Sequence, residues 1–109
     1  MTDLATATII AGSFPEIEIK PHFQKISFRV RGKIFATMDE SKMDVVLKFT
    51  ADQQADFCDR SSAVNPVSGG WGRKGWTQVL LEDVDEPLFR EAITASYCNV
   101  APKKLSSQI

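Results

Sequence analysis

The chain contains few of the residues on which most metal and catalytic sites depend. It has one histidine, His22, and two cysteines, Cys58 and Cys98, among 109 residues. The cysteines lie far apart and form no Cys-x-x-Cys motif, so we expect two free thiols rather than a disulfide. A structural zinc site needs about four ligands, mostly cysteine and histidine. We therefore expect no transition-metal site and no bound cofactor.

Long hydrophobic runs are also missing. No stretch of about 18 consecutive apolar residues is present, so no membrane-spanning helix is expected. The first eleven residues carry Asp3 and no basic residue, which is not typical of a secretory signal. From these features we expect a cytoplasmic protein without a membrane partner.

Neither sign of charge is in excess. Thirteen basic and fourteen acidic residues give a net charge of −1, so the chain as a whole lacks the basic field of strong nucleic-acid binders. The distribution along the chain is uneven, however. Residues 19–38 contain no carboxylate and five cations, which are Lys20, Lys25, Arg29, Arg31 and Lys33. A polarised surface is compatible with this pattern.

The composition is that of an ordinary globular domain. Hydrophobic residues make up 43% of the chain and charged residues 25%, and a chain of 109 residues is long enough for one core. We predict a single domain over residues 1–105, followed by a solvated C-terminal tail at residues 106–109. We expect a monomer.

Alternating apolar residues predict an antiparallel sheet. A strand over residues 17–20 precedes Pro21, which confines that strand to an edge or to a strand end. Two further strands meet at Gly32, and a three-residue loop over residues 31–33 would place Val30 opposite Ile34. The predicted buried face of the sheet comprises Ile26, Phe28, Val30, Ile34, Ala36, Met38, Val45 and Leu47.

Capping signals predict the helices. The first helix begins at Thr2 or Asp3 and stops at Gly12, which is suited to a left-handed end. The second has the capping-box pair Thr50 and Gln53.

The last helix begins at Asp85, with Pro87 just inside it, and ends by Pro102 at the latest. Residues 64–67 and 76–81 have strand patterns and lie between the second and last helices. The order of elements predicts an α+β fold of the form α-β(3-4)-α-β(1-2)-α, with an antiparallel sheet and flanking helices.

The segment GGWGRKGW at residues 69–76 is the densest cluster of unusual residues. Its glycines formally match the dinucleotide-binding fingerprint, but that chemistry needs a helix after the glycines, and a strand pattern follows here. Two interpretations stay open. The segment forms a tight turn whose tryptophans pack at the sheet edge, or it forms a binding loop. In a binding loop, Arg73 and Lys74 would contact phosphates while an exposed Trp71 stacks on a base or sugar. Trp76 begins a strand and should be the more buried tryptophan.

No catalytic constellation is evident. His22 is the one side chain suited to act as a base at neutral pH, and it follows Pro21 in a strand-like stretch without a Gly-x-Ser-x-Gly motif. Since nucleophilic catalysis needs a nucleophile beside a base, we expect a protein that is not an enzyme.

Four ordered motifs together resemble the MmcQ/YjbR family of small bacterial proteins. They are SFRV at residues 27–30, GKIFAT at residues 32–37, GGWGRKGW at residues 69–76 and SYCNVAPKK at residues 96–104. The resemblance extends from about residue 13 to residue 105. It implies a compact α+β domain similar to secretion-chaperone-like folds, and family members are described as predicted double-wing DNA-binding proteins.

Mapped onto this sequence, the resemblance implies a first wing at residues 27–38, with its tip at residues 31–33. The second basic element would be residues 71–76. Two positions depart from the family pattern: Ile26 stands where proline is frequent, and Glu16 stands where glycine is frequent. The candidate nucleic-acid-binding residues are Arg29, Arg31, Lys33, Trp71, Arg73 and Lys74.

The expected function is therefore DNA binding through basic β-hairpin wings. The alternative is a protein-interaction or chaperone-like module that binds no nucleic acid, which the fold resemblance and the near-neutral charge also suggest. The surface potential of the folded domain discriminates between them, because it shows whether the cations converge.

Overall fold

The long helices of the protein all pack against one face of an antiparallel sheet. The computed structural model describes all of residues 1–109. The helices are α1 (Leu4–Gly12), α2 (Ala51–Arg60), α3 (Gly70–Arg73), α4 (Glu86–Val100) and α5 (Lys103–Ser106). The strands are β1 (Ile17–His22), β2 (Lys25–Val30), β3 (Lys33–Asp39), β4 (Asp44–Lys48), β5 (Val64–Pro66) and β6 (Trp76–Leu80).

The six strands lie in the order β1-β2-β3-β4-β6-β5, and all neighbouring pairs are antiparallel. The predicted α+β class is confirmed, with the short helices α3 and α5 added to the predicted order. Strand β1, which contains Pro21, is an edge strand, because proline has no N–H for a central ladder. None of the five helices has the length and apolar character needed to cross a bilayer.

Side-chain caps begin the three long helices at the predicted residues. Asp3, Thr50 and Asp85 each accept a hydrogen bond from the backbone N–H three residues later, at 2.7, 3.2 and 2.8 Å. The Gln53 side chain also accepts a bond from the Thr50 N–H at 3.0 Å, which completes a capping box. Each cap satisfies a backbone donor that the first turn of a helix leaves without a partner.

The predicted left-handed stop at Gly12 is wrong. Helix α1 continues through Gly12, and the capping residue Ser13 keeps a right-handed conformation with φ of −85°. The Ser13 hydroxyl donates to the Ile10 carbonyl at 2.7 Å and so closes the last turn without a residue at positive φ. At the other end of the chain, α5 buries Leu105 to 2% exposure, while residues 107–109 are exposed.

An aromatic cluster joins α4 to the sheet and to the segment after α1. Tyr97 is fully buried; its ring stacks on Phe14 with centroids 4.7 Å apart and meets Phe35 edge-on at 5.2 Å. Its hydroxyl donates to the Pro15 carbonyl at 2.7 Å. The cluster buries the rings of Phe35 and Tyr97 under the partly buried Phe14, and it satisfies the one polar atom among them.

The β2–β3 hairpin contains a β-bulge that the sequence pattern does not predict. Phe28 lies opposite Ala36 as expected, but the next pair is Arg29 with Ile34, so Phe35 is an extra residue without a partner. The predicted three-residue loop is also wrong. Val30 pairs with Lys33, and the turn consists of Arg31 and Gly32, with φ of 52° and 79°. A two-residue turn with both residues at positive φ matches the right-handed twist of the strands.

The bulge decides which side chains of β3 face the helices. Phe35 is fully buried on the helix side, whereas Ile34, which we predicted to be buried there, is half-buried on the opposite face. Ile26 is half-buried rather than buried. The other predicted members of the buried face are confirmed: Phe28, Val30, Ala36, Met38, Val45 and Leu47.

Replacing Phe35 by alanine is expected to lower the free energy of unfolding by about 3 to 5 kcal/mol, because it leaves a cavity between Tyr97 and Phe14. The neighbouring Ile34→Ala is expected to cost only about 1 kcal/mol, since its side chain is partly in solvent on the other face. Urea denaturation followed by circular dichroism measures both. Equal losses for the two variants would contradict the bulged register.

Candidate functional site

One face of the sheet is free of long helices. The helices α1, α2 and α4 contact the other face: Thr8 lies 3.6 Å from the Met38 sulfur, and Gln54 donates to the Thr77 hydroxyl at 3.0 Å. Ser96 of α4 donates to the carbonyl of β3 residue 35 at 2.6 Å. We call the opposite surface the open face. By register, its central strands present Arg29, Ile34, Thr37, Val46, Lys48, Trp76 and Gln78.

A first groove crosses the open face, and a second adjoins it at the end of the sheet, where it reaches the C-terminal end of α4. The first groove, of about 390 Å³, runs from His22 and Lys25 on the β1–β2 hairpin over Val46 to Trp71. The second groove, of about 420 Å³, continues toward Lys33 at the end of β3, and Lys48, Thr50 and Asn99 also line it. Ile34 and Trp76 line both grooves, so they form the junction between them.

Close packing holds the turn that carries Trp71. A Cβ atom on Gly72 would lie 1.9 Å from the Val67 oxygen, and one on Gly75 would lie 1.9 Å from the Phe49 oxygen. Gly75 also has a φ of 102°. In addition, Gln54 donates to the Gly72 carbonyl at 3.0 Å. The tight-turn interpretation is confirmed for the backbone, which is closely packed and includes the short helix α3, but Trp71 does not pack at the sheet edge.

The two tryptophans differ as expected, since Trp71 is 64% exposed and Trp76 is half-buried. Each carries an ammonium group over its ring. Lys74 Nζ lies 5.5 Å from the Trp71 ring, and Lys48 Nζ lies 5.2 Å from the Trp76 ring. Lys48 Nζ also donates to the Lys74 carbonyl, which ties β4 to the turn. Cations and aromatic rings are thus in contact on the open face.

Arg29 contributes an uncompensated positive charge to the open face. Its side chain is half-buried, and Nε donates to the Ser27 hydroxyl at 3.0 Å. Glu18 lies opposite Arg29 in the ladder but pairs with Lys20 instead, at 3.4 Å. Arg29 makes no ion pair.

Arg31, at the tip of the hairpin, is engaged elsewhere. Its guanidinium bonds both carboxylate oxygens of Glu16, at 2.7 and 3.2 Å. These hydrogen bonds hold the pKa of Glu16 below its usual value and raise the pKa of Arg31. Glu16 follows Pro15, whose carbonyl accepts a hydrogen bond from the Tyr97 hydroxyl on the helix side of the sheet. Arg31 therefore lies away from the open face and already has a counterion.

Glu16 has a φ of 57°, a conformation in which glycine meets no steric cost. The family pattern that the sequence resembles often has glycine at this position, and glycine adopts this conformation without strain.

Four of the predicted site residues lie on the open face or line the grooves: Arg29, Lys33, Trp71 and Lys74. Arg73 is exposed on α3 and makes no ion pair. Sequence reasoning missed Lys25, Lys48, His22 and Trp76 as lining residues. The available signal was Val46, an apolar side chain at an outward position of β4. Whether any of these residues binds a ligand stays a prediction.

Comparison with known proteins agrees with the architecture. A family model described as YjbR matches residues 12–99. The crystal structure of the Deinococcus radiodurans protein DR2400, which has a DUF419 domain, matches with a TM-score of 0.81. That match is 17% identical and covers 99% of this chain and 88% of the other, so it shows a shared fold. No curated protein matches the sequence.

We expect the two tryptophans to respond differently to a neutral quencher. In the Trp76→Phe variant the remaining Trp71 should be quenched strongly by acrylamide, because most of its surface is in solvent. In the Trp71→Phe variant the remaining Trp76 should be protected by the sheet and by Lys48. Equal quenching constants would contradict the exposure of Trp71 and remove it as a stacking residue.

The glycines of the turn allow a sharp test of its packing. Gly75→Ala is expected to lower the free energy of unfolding by at least about 2 kcal/mol, because the methyl group meets the Phe49 carbonyl and the residue keeps a positive φ. Gly70→Ala is the matched control. No atom lies within 4 Å of its added Cβ, so a change of only about 0.5 kcal/mol is expected. Thermal melts measure both, and a similar loss for both would contradict the packed turn.

Proposed function

The chain belongs to the YjbR family, and with that fold as the premise we propose that it binds nucleic acid through the open face. One observation carries the proposal. Trp71, which is 64% exposed, lies beside Lys74 at the end of a sheet face that also presents Arg29 and Lys48, and Lys33 lines the groove that adjoins this face.

The electrostatics of the molecule support this assignment despite its net charge of −1. Several acidic side chains of the helix layer form ion pairs with nearby arginines. Arg60 bonds Glu91 and Asp56 at 2.6 and 3.2 Å, and Arg90 bonds Glu86 at 3.0 Å. On the open face, by contrast, Arg29 has no counterion. The open face also carries two acids: Glu18 lies opposite Arg29, and Asp44 accepts a hydrogen bond from Gln78 at 2.7 Å. Its positive charge is concentrated at Arg29 and at the lysines beside the two tryptophans, where a polyanionic ligand would bind.

The aromatic residues add base stacking, which contacts to phosphates do not provide. An exposed indole stacks on the ring of any base, and such stacking contributes about 1 to 3 kcal/mol per base. With Lys74 close to the ring of Trp71, a base on the indole would place its phosphate within reach of an ammonium group. Contacts of this kind position a strand without reading its sequence.

This proposal relocates the interface from the tip of the hairpin wing to its face. The tip residue Arg31 has a bidentate partner in Glu16 and lies toward the helix layer. Lys33, next to the tip, lines the second groove instead. The wing therefore contributes its outward strand positions and Lys33.

We propose a binding role rather than a catalytic one. His22 lies at the rim of the first groove, and its imidazole makes no hydrogen bond to a nucleophile or carboxylate. General base catalysis needs a base within hydrogen-bond reach of the group that it activates.

A protein-interaction role is the second candidate, and it draws on a different surface. Phe23, at the tip of the β1–β2 hairpin, is 94% exposed, and Ile19 on the edge strand β1 is 55% exposed. A protein partner would remove these apolar side chains from water, which is favourable. A Phe23→Ser variant would lose such a contact while leaving the open face unchanged.

Titration of short labelled single-stranded and duplex DNA by fluorescence anisotropy, at low and moderate salt, tests the proposal. Replacing both Lys25 and Lys33 by glutamine should weaken binding. It should also reduce the slope of log affinity against log salt concentration by about 0.7 to 0.9 for each phosphate contact that is lost. Lys103→Gln with Lys104→Gln is the matched control. It removes the same charge from α5, outside the grooves, and should change affinity little.

No binding of either DNA at low salt would overturn the proposal and leave protein interaction as the better candidate. An equal loss in the control pair would show that binding does not use the open face.

A further inference from the structure

We propose that the two grooves form one continuous path for an unpaired strand of nucleic acid, so that the open face binds single strands in preference to duplexes. The inference rests on the proposed function and adds to it the class of strand that the face accepts.

The geometry of the grooves gives the path its continuity. Both grooves are lined by Ile34 and Trp76, so they adjoin at these two side chains. Lys25 stands at the outer end of the first groove, and Lys33 and Lys48 stand along the second. A chain of phosphates that crosses Ile34 and Trp76 would meet a cation on either side of the junction.

The chemistry of the first groove selects unpaired bases. Five of its eight lining residues are hydrophobic, and they include Ile34, Val46, Trp71 and Trp76. A duplex presents phosphates and sugars on its outside and keeps the faces of its bases stacked within, so it gains little from an apolar floor. An unpaired base, in contrast, can lay its ring against an indole and an aliphatic side chain. The apolar residues of the groove therefore suit contact with bases, and the lysines at its ends suit contact with phosphates.

Polar groups for base edges are available in the same groove. The Thr37 hydroxyl and the His22 imidazole line it, and neither makes a side-chain hydrogen bond within the protein. A threonine hydroxyl and a histidine ring both donate and accept. They suit the edges of several bases, which agrees with a face that tolerates different sequences.

Binding of oligo(dT) and of its duplex with oligo(dA), measured at the same salt, tests the strand class. A series of about 4 to 12 nucleotides covers the site size expected for a single-strand groove. We expect the single strand to bind at least about tenfold more tightly than the duplex. An oligo(rU) series of equal length distinguishes RNA from DNA as the source of the strand, and tighter binding of either single strand than of the duplex supports the path.

Variants of Trp71 separate stacking from charge. Trp71→Ala should weaken single-strand binding about 5- to 100-fold and leave duplex binding nearly unchanged, while Trp71→Phe should restore most of the loss because it keeps a stacking surface. Thermal melts verify that each variant is folded. Because Trp71 is an exposed side chain, we expect both melts to match that of the unchanged protein.

Two variants at neighbouring positions test the route of the path. Lys33→Gln should weaken single-strand binding, whereas Glu16→Gln combined with Arg31→Gln, which removes the neighbouring ion pair without changing net charge, should not. If single strand and duplex bind with equal affinity, and Trp71→Ala weakens both equally, the single-strand path is wrong, although the protein still binds nucleic acid. An effect of the ion-pair variant as large as that of Lys33→Gln would overturn the route, and no binding at all would overturn both proposals.

Discussion

The extra residue in β3 is the constraint on which both faces of the sheet depend. Because Phe35 has no partner on β2, it turns toward the helices and reaches Tyr97 and Phe14. The same bulge rotates Ile34 to the open face, opposite Arg29. A regular hairpin would bury Ile34 among the helices and remove the apolar junction of the two grooves. One local irregularity thus completes the core and builds the floor of the candidate site.

The second constraint on the candidate site is the close-packed turn before β6, which carries Trp71. Gly72 and Gly75 bring its backbone into contact with Val67 and Phe49, at distances that no larger residue would allow. Trp71 is consequently held in solvent by a rigid turn rather than by a mobile loop. A backbone that is already ordered loses less conformational entropy when a ligand arrives, so the packing of the turn favours binding at the exposed indole.

Much of the fold was predictable because its signals are local. Asp3, Thr50 and Asp85 cap helices through neighbours three residues away, and strand alternation needs only a few residues. The bulge was not predictable, since it depends on the burial of Phe35 against Tyr97, which lies far along the chain. The site was predictable in part. Sequence reasoning selected Arg29 and Trp71, but it could not see that Glu16 neutralises Arg31 or that Lys25 and Lys48 converge on the same face.

Nuclear magnetic resonance titration of the ¹⁵N-labelled protein with a short single-stranded oligonucleotide tests the central claim most directly, because it locates the interface residue by residue. The account predicts that the indole N–H signals of Trp71 and Trp76 and the backbone amides of Ile34 and Val46 shift progressively with ligand. It also predicts that the amide signals of α2 and of the first turns of α4, on the far side of the sheet, do not shift. Shifts confined to the helix layer, or to Phe23 at the β1–β2 tip, would contradict a ligand site on the open face.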